Sequence, residues 1–163
     1  MKILSNSEQE TYRIGQMIGN AARPGLVIAY YGDLGAGKTV MTKGIACGLG
    51  IREAVTSPTF TILQSYEDGR LPLFHLDVYR IEDPEEMEEI GLDDCLYGDG
   101  VTVIEWAEQI EELLPPDTVR IRIGRVFPEG REAREIGIEP DGWIKEIFIQ
   151  NKAAEYLRRE NKP

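Results

Sequence analysis

Residues 32–39, Gly32-Asp33-Leu34-Gly35-Ala36-Gly37-Lys38-Thr39, satisfy the pattern G-x-x-x-x-G-K-[ST] in full. No other stretch constrains the fold as much, because such a loop works only between a strand and a helix. Glycines let the backbone turn with positive φ so that successive N–H groups converge on an anion, and the following helix adds its positive N-terminus. Lys38 then supplies a point charge to the β- and γ-phosphates of a nucleoside triphosphate, and the Thr39 hydroxyl is placed for Mg²⁺. A dinucleotide fingerprint fits poorly, since Gly35-Ala36-Gly37 runs into Lys38-Thr39-Val40 without a third glycine.

The flanks have the required character. Leu26-Val27-Ile28-Ala29-Tyr30-Tyr31 is a continuous apolar run of strand length, as expected of a strand covered on both faces. Residues 39–49 lack proline, carry Met41, Ile45, Ala46 and Leu49 on one side, and end among Gly48 and Gly50, which predicts a helix. Upstream, Ser7 and Glu10 form a capping-box pattern, and Ile14, Met17, Ile18 and Ala21 recur at helical spacing up to Pro24-Gly25.

Further along, residues 59–63 and 73–78 read as strands of a hairpin around Glu67-Asp68-Gly69-Arg70, with Pro72 at a strand start or edge. Asp83-Pro84 followed by acids and a terminal Gly91 predicts a short acidic helix. Residues 101–105 form another apolar strand, residues 107–114 a helix that Pro115-Pro116 ends, and residues 118–123, 134–138 and 144–149 alternate like strands. The fold class expected is an α/β, P-loop NTPase-like three-layer sandwich. Its central sheet is mostly parallel with flanking helices and an antiparallel C-terminal portion. A single domain spans 1–163, with 151–163 a helix or frayed tail.

The second metal-side group should be an acid ending a neighbouring apolar strand, which Glu105 does. Asp77 also ends a strand and could orient the attacking water or hold the metal's outer shell. His75 alternates onto the same strand face, where a lone histidine is more often a hydrogen-bonded structural group than a ligand. Trp106 and Tyr79 beside these acids could wall a nucleotide site or serve a partner surface, with core packing the equal alternative. Ser57-Pro58-Thr59 lies where a γ-phosphate-sensing segment usually sits, and reads equally as a Ser-Pro turn.

Other features narrow the class. A GTPase would also carry D-x-x-G and N-K-x-D, and neither is present, which favours ATP. A small-molecule kinase shares the loop and needs mobile arginines that Arg120, Arg122 and Arg125 could supply, although their alternation also suits the wet face of a strand. The net charge of −11 repels a phosphate backbone and disfavours stand-alone tRNA or DNA binding. Cys47 and Cys95 lack metal-site spacing and read as buried free thiols. Without a membrane-length apolar run or signal-peptide core, a soluble cytoplasmic protein is expected.

Taken in order, the loop at 32–39, Ser57-Pro58-Thr59-Phe60, His75-Leu76-Asp77-Val78-Tyr79-Arg80 and Ile104-Glu105-Trp106-Ala107-Glu108 closely resemble the bacterial TsaE (YjeE) ATPases from about residue 7 to about residue 149. Val78 replaces the more usual leucine. The resemblance implies a P-loop ATPase of the tRNA N6-threonylcarbamoyladenosine (t6A) pathway, with ATP and Mg²⁺ as ligands. Its partners would be the threonylcarbamoyl transferase TsaD and TsaB, and tRNA would be met only through that complex. By matching positions, Lys38 and the backbone of Asp33, Leu34, Gly35, Ala36, Gly37 and Val40 would hold phosphates. Thr39 and Glu105 would take the metal, Asp77 would assist hydrolysis, and Trp106 would sit beside the site. Ser7, Thr11 and Arg134 are carried over as further nucleotide contacts. A non-hydrolysing nucleotide-sensing adaptor is the third class in view.

Overall fold

The strand that feeds the glycine loop, β2 (Val27–Tyr31), has Ile28 and Tyr30 packed into one apolar cluster and Val27 and Ala29 into another. Burial on both faces is what its unbroken apolar run requires. In the computed structural model, which describes residues 1–126, 132–151 and 153, β2 lies in the middle of a seven-stranded sheet. The other strands are β1 (Lys2–Ser5), β3 (Leu63–Tyr66), β4 (Leu73–Asp77), β5 (Val101–Glu105), β6 (Val119–Arg125) and β7 (Arg134–Glu139), in the order β1-β7-β6-β2-β5-β4-β3. The inner pairs β6–β2, β2–β5 and β5–β4 are parallel, while β3 and the β7–β1 end pair antiparallel. This is the expected P-loop NTPase-like α/β fold.

Helices α1 (Glu8–Ala21), α2 (Lys38–Leu49) and α5 (Gly142–Gln150) share the first apolar cluster. The short helices α3 (Glu86–Ile90) and α4 (Leu92–Leu96) and a 3₁₀ helix, Ala107–Leu113, share the second. The sheet is the middle of three layers.

What holds α2 in place is an unusually close parallel approach by α1. A Cβ at Gly44 would lie 2.1 Å from the Tyr12 carbonyl oxygen, and one at Gly48 2.4 Å from that of Gln16. Reciprocally, a Cβ at Gly15 or Gly19 would lie 2.2 Å from the carbonyl oxygen of Met41 or Ile45. Small residues spaced four apart on each helix therefore let backbone meet backbone. Arg70 closes the far end, its Nη2 donating to the carbonyls of Gly19, Asn20 and Ala22 at 2.6, 3.1 and 2.8 Å.

Several expectations shift. The stretch 144–149 is helical, not a strand: Ile144, Ile147 and Phe148 are buried at i, i+3 and i+4, a helical period that a short apolar run conceals. The first hairpin strand starts at Leu63, because the Pro58 carbonyl accepts both Thr61 N–H (3.1 Å) and Ile62 N–H (2.7 Å) and winds 59–62 into a turn. The acidic helix begins at Glu86, with Asp83 Oδ1 accepting Glu85 N–H just before it. The helix over 107–114 is 3₁₀, and β1 and α4 are elements the sequence pattern did not announce. Cys95 is buried as expected, whereas Cys47 is exposed, its Sγ accepting from Gln16 Nε2 at 3.3 Å. Of the expected C-terminal tail, Asn151 ends α5 and Ala153 is buried against it; residues 152 and 154–163 lie outside the described residues. No helix among the described residues is long and apolar enough to cross a membrane.

Gly44→Ala should cost about 1–3 kcal/mol in urea denaturation, the usual penalty for overpacking. Gly142→Ala, whose Cβ would meet nothing within 4 Å, should cost less than about 0.5 kcal/mol. Equal stability of the two variants would remove the close helix contact as a constraint.

Candidate functional site

After Tyr31 the chain enters the loop through Gly32 (φ 144°) and leaves it through Gly37 (φ 115°), both in the region that favours glycine. At Gly32 a side chain is excluded twice over, because a Cβ would also lie 2.3 Å from the Ile123 carbonyl oxygen. Gly37 is the N-cap of α2 and supplies no side-chain cap. The first amides of α2 are thus left for an external acceptor, as at anion-binding helix ends.

Lys38 is buried, with Nζ donating to the carbonyls of Gly32 (2.5 Å) and Asp33 (3.1 Å) and lying 3.9 Å from the centre of the Trp106 ring. Burial lowers its pKa, opposed by the charges of Glu105, Glu108, Asp77 and Asp33. Trp106 is held for this contact in the left-handed region (φ 62°), a costly conformation for a non-glycine residue, and its ring lies 4.8 Å from that of Tyr79.

Sheet register then assembles the acids. Tyr30 on β2, Glu105 on β5 and Asp77 on β4 are consecutive partners across the parallel strands. Glu105 Oε1 accepts the Thr39 hydroxyl and meets His75 Nε2, each at 2.9 Å. Asp77 Oδ2 accepts the hydroxyls of Ser57 and Thr59, both at 3.1 Å, while Oδ1 accepts Tyr79 N–H at 3.1 Å. Burial pushes the Tyr30 hydroxyl far above its usual range, so it stays neutral beside these carboxylates.

These groups line one cavity of about 500 Å³, whose walls include Gly37, Lys38, Thr39, Asp77, Glu105 and Trp106. Its rim carries Leu34 and, close by, Phe60, both 85% exposed, with the Arg80 guanidinium 4.7 Å from the Phe60 ring centre. Thr39 and Glu105 offer a hydroxyl and a carboxylate, hard oxygens suited to Mg²⁺, which takes few protein ligands beside phosphate and water. No cluster of three or more His, Cys, Asp or Glu fit for a metal occurs among the described residues, as a Mg²⁺ site of this kind needs none. The residues fit the ion.

The remaining expected residues divide. Thr11 and Arg134 line a smaller pocket of about 160 Å³ against Gly35 and Ala36, with Arg134 Nε donating to the Ala36 carbonyl at 2.8 Å, while Val40 lines both this pocket and the main cavity. Ser7 accepts Glu10 N–H at 3.1 Å, and so caps α1 and borders a separate shallow pocket. Asp33 lends its carbonyl to Lys38. Arg120 is spent on Glu111 at 2.9 Å and Arg122 sits 5.0 Å from the Tyr31 ring centre, and neither lines the main cavity; Arg125 reaches the loop instead, donating to the Gly35 carbonyl at 3.3 Å. Ser57 and Thr59, which the sequence offered equally as a phosphate-sensing segment and as a turn, both line the main cavity. The hydroxyls two apart and ahead of a strand ending in Asp77 were the available signal.

A family model described as "Threonylcarbamoyl adenosine biosynthesis protein TsaE" matches residues 5–135. Relatives from several bacteria carry the description "tRNA threonylcarbamoyladenosine biosynthesis protein TsaE". That of Bacillus subtilis (strain 168) is 52% identical over 124 residues, 76% of this chain and 77% of its own. That of Treponema pallidum (strain Nichols) is 47% identical over 138 residues, 85% and 99%. Among solved structures, Bacillus subtilis YdiB superposes with a TM-score of 0.76 at 38% identity, covering 95% of each chain.

With Trp143→Phe, Trp106 becomes the sole tryptophan of the chain. Its emission should then be altered when Lys38→Ala removes the ammonium from the ring. Identical emission with and without the lysine would contradict the lysine–ring contact.

Proposed function

Since the chain belongs to the TsaE family, the proteins of tRNA threonylcarbamoyladenosine biosynthesis, we propose that it is the Mg²⁺-dependent ATPase of that modification, working in the cytoplasm as a nucleotide-driven switch on TsaD and TsaB. The observation that carries the reading is the convergence of Lys38, Thr39, Asp77 and Glu105 on one cavity at the N-terminus of α2.

In this reading Lys38 gives up the carbonyls of Gly32 and Asp33 for the β- and γ-phosphates, while the amides at the start of α2 bind phosphate oxygens. Thr39 and Glu105 would give up their mutual hydrogen bond and hold the ion. When bound, Mg²⁺ neutralises charge on the phosphate oxygens. Asp77 orients or deprotonates the attacking water, within reach of the same cavity. The lack of D-x-x-G and N-K-x-D favours ATP over GTP.

Asp77 is also tied by hydrogen bonds to Ser57 and Thr59, so a change at the γ-phosphate passes directly into residues 57–60 and to exposed Phe60. Such a rim, apolar and exposed around Leu34, Phe60 and Tyr79, suits a partner that reads the nucleotide state. The net charge of −11 suits a subunit that leaves tRNA to its partners. Turnover is slow alone, because no arginine among the described residues is free to meet the transferred phosphate without rearranging: Arg80 lines the cavity but rests over Phe60, and Arg125 rests on Gly35.

Phosphate release measured with and without TsaD and TsaB tests the proposal. Slow release that the partners raise at least tenfold is expected; fast partner-independent release contradicts the switch, and a phosphorylated small-molecule product would identify a kinase. Lys38→Ala should weaken ATP binding by tenfold or more, on the order of 1.4 kcal/mol. Glu105→Ala should keep nucleotide binding but lose Mg²⁺-dependent turnover by roughly a hundredfold or more, and wild-type turnover would reassign the acid.

A further inference from the structure

We propose that His75 is a positioning residue for Glu105, its Nε2–H holding the carboxylate so that Oε2 is kept for the metal; this rests on the function proposed above. His75 is fully buried, and the chain contains no other histidine. Its Nε2 meets Glu105 Oε1 at 2.9 Å, the oxygen that also accepts the Thr39 hydroxyl. No hydrogen bond among the described residues uses Oε2. With Oε1 held by Nε2–H, Oε2 is left for the metal, and that hold persists when Thr39 turns its hydroxyl to the ion.

The remaining nitrogen argues for this role over a purely structural one. Nδ1 is buried without a hydrogen-bond partner. The carboxylate takes the donor at Nε2–H, so Nδ1 is left with no group to bond. A histidine retained for core stability would be expected to use both nitrogens, since a buried polar atom left unpaired is destabilising. Strand geometry explains how the contact arises. His75 and Asp77 lie on one face of β4, and Val103 and Glu105 on the matching face of β5, with Asp77 opposite Glu105. The β4–β5 register thus sets His75 diagonally behind the metal-side acid, where orienting partners of ligands are found in other sites.

The test combines a direct reading with a variant pair. Long-range ¹H–¹⁵N spectra of the untagged wild-type protein report the tautomer of this single ring. The Nε2–H form is expected, and the Nδ1–H form would overturn the proposal whatever the variants do. His75→Gln keeps an amide donor near the Nε2 position, whereas His75→Asn places its amide near Nδ1. The asparagine variant should need about ten- to a hundredfold more Mg²⁺ for half-maximal ATP hydrolysis. Its ATP affinity without metal should be unchanged, and His75→Gln should recover most of the loss. Equal Mg²⁺ requirements for wild type and both variants would overturn the proposal, as would an equal fall in metal-free ATP affinity. The two readings fail separately: absence of hydrolysis in the wild type removes the ATPase, while normal Mg²⁺-dependent hydrolysis with an Nδ1–H ring removes only the role of His75.

Discussion

Parallel pairing of β2, β5 and β4 is the constraint on which the site depends. Because the three strands run the same way, their C-terminal ends reach one edge of the sheet together, and register alone sets Tyr30, Glu105 and Asp77 side by side. The loop leaves β2 at that edge, so Lys38 and Thr39 arrive above the acids without any further device. Ligand sites outside the carboxyl ends of strands are the general solution of open α/β sheets. A slip of one residue in β5 would turn Glu105 to the opposite face and dismantle the site.

Helix α2 must also present its N-terminus at a fixed height. The glycine contacts with α1 do this by backbone contact, leaving little freedom to slide. The groups that line the cavity are held instead by a few polar contacts: Lys38 by two loop carbonyls and a ring, and Ser57 and Thr59 by the Asp77 carboxylate. Strain gathers there as well, with Trp106 and the β-branched Ile62 both at positive φ on either side of Asp77 in sequence.

Much of this was legible in the sequence because the signals were local. Gly32, Gly37, Lys38 and Thr39 state their own geometry, and the doubly buried β2 and β5 read as apolar runs of strand length. The Ser7 cap of α1 was likewise visible, its side chain accepting Glu10 N–H as the capping pattern requires. What remained hidden depended on tertiary partners. Gly15, Gly19, Gly44 and Gly48 look like weak points in helices until the two helices are seen to touch. Residues 144–149 fit two periods, and only docking against the first apolar cluster selects the helix. His75 gave no sign of its partner, because the register that brings it to Glu105 joins residues thirty apart.

The central claim is that the loop at 32–39 binds Mg²⁺–ATP through the groups beneath it. Calorimetric titration of the wild-type protein with a non-hydrolysable ATP analogue, with Mg²⁺ and then with excess chelator, tests it most directly. One site per chain is expected, weakened at least tenfold by the chelator, with the GTP analogue binding more weakly. Absence of binding, or binding indifferent to both the metal and the base, would contradict it.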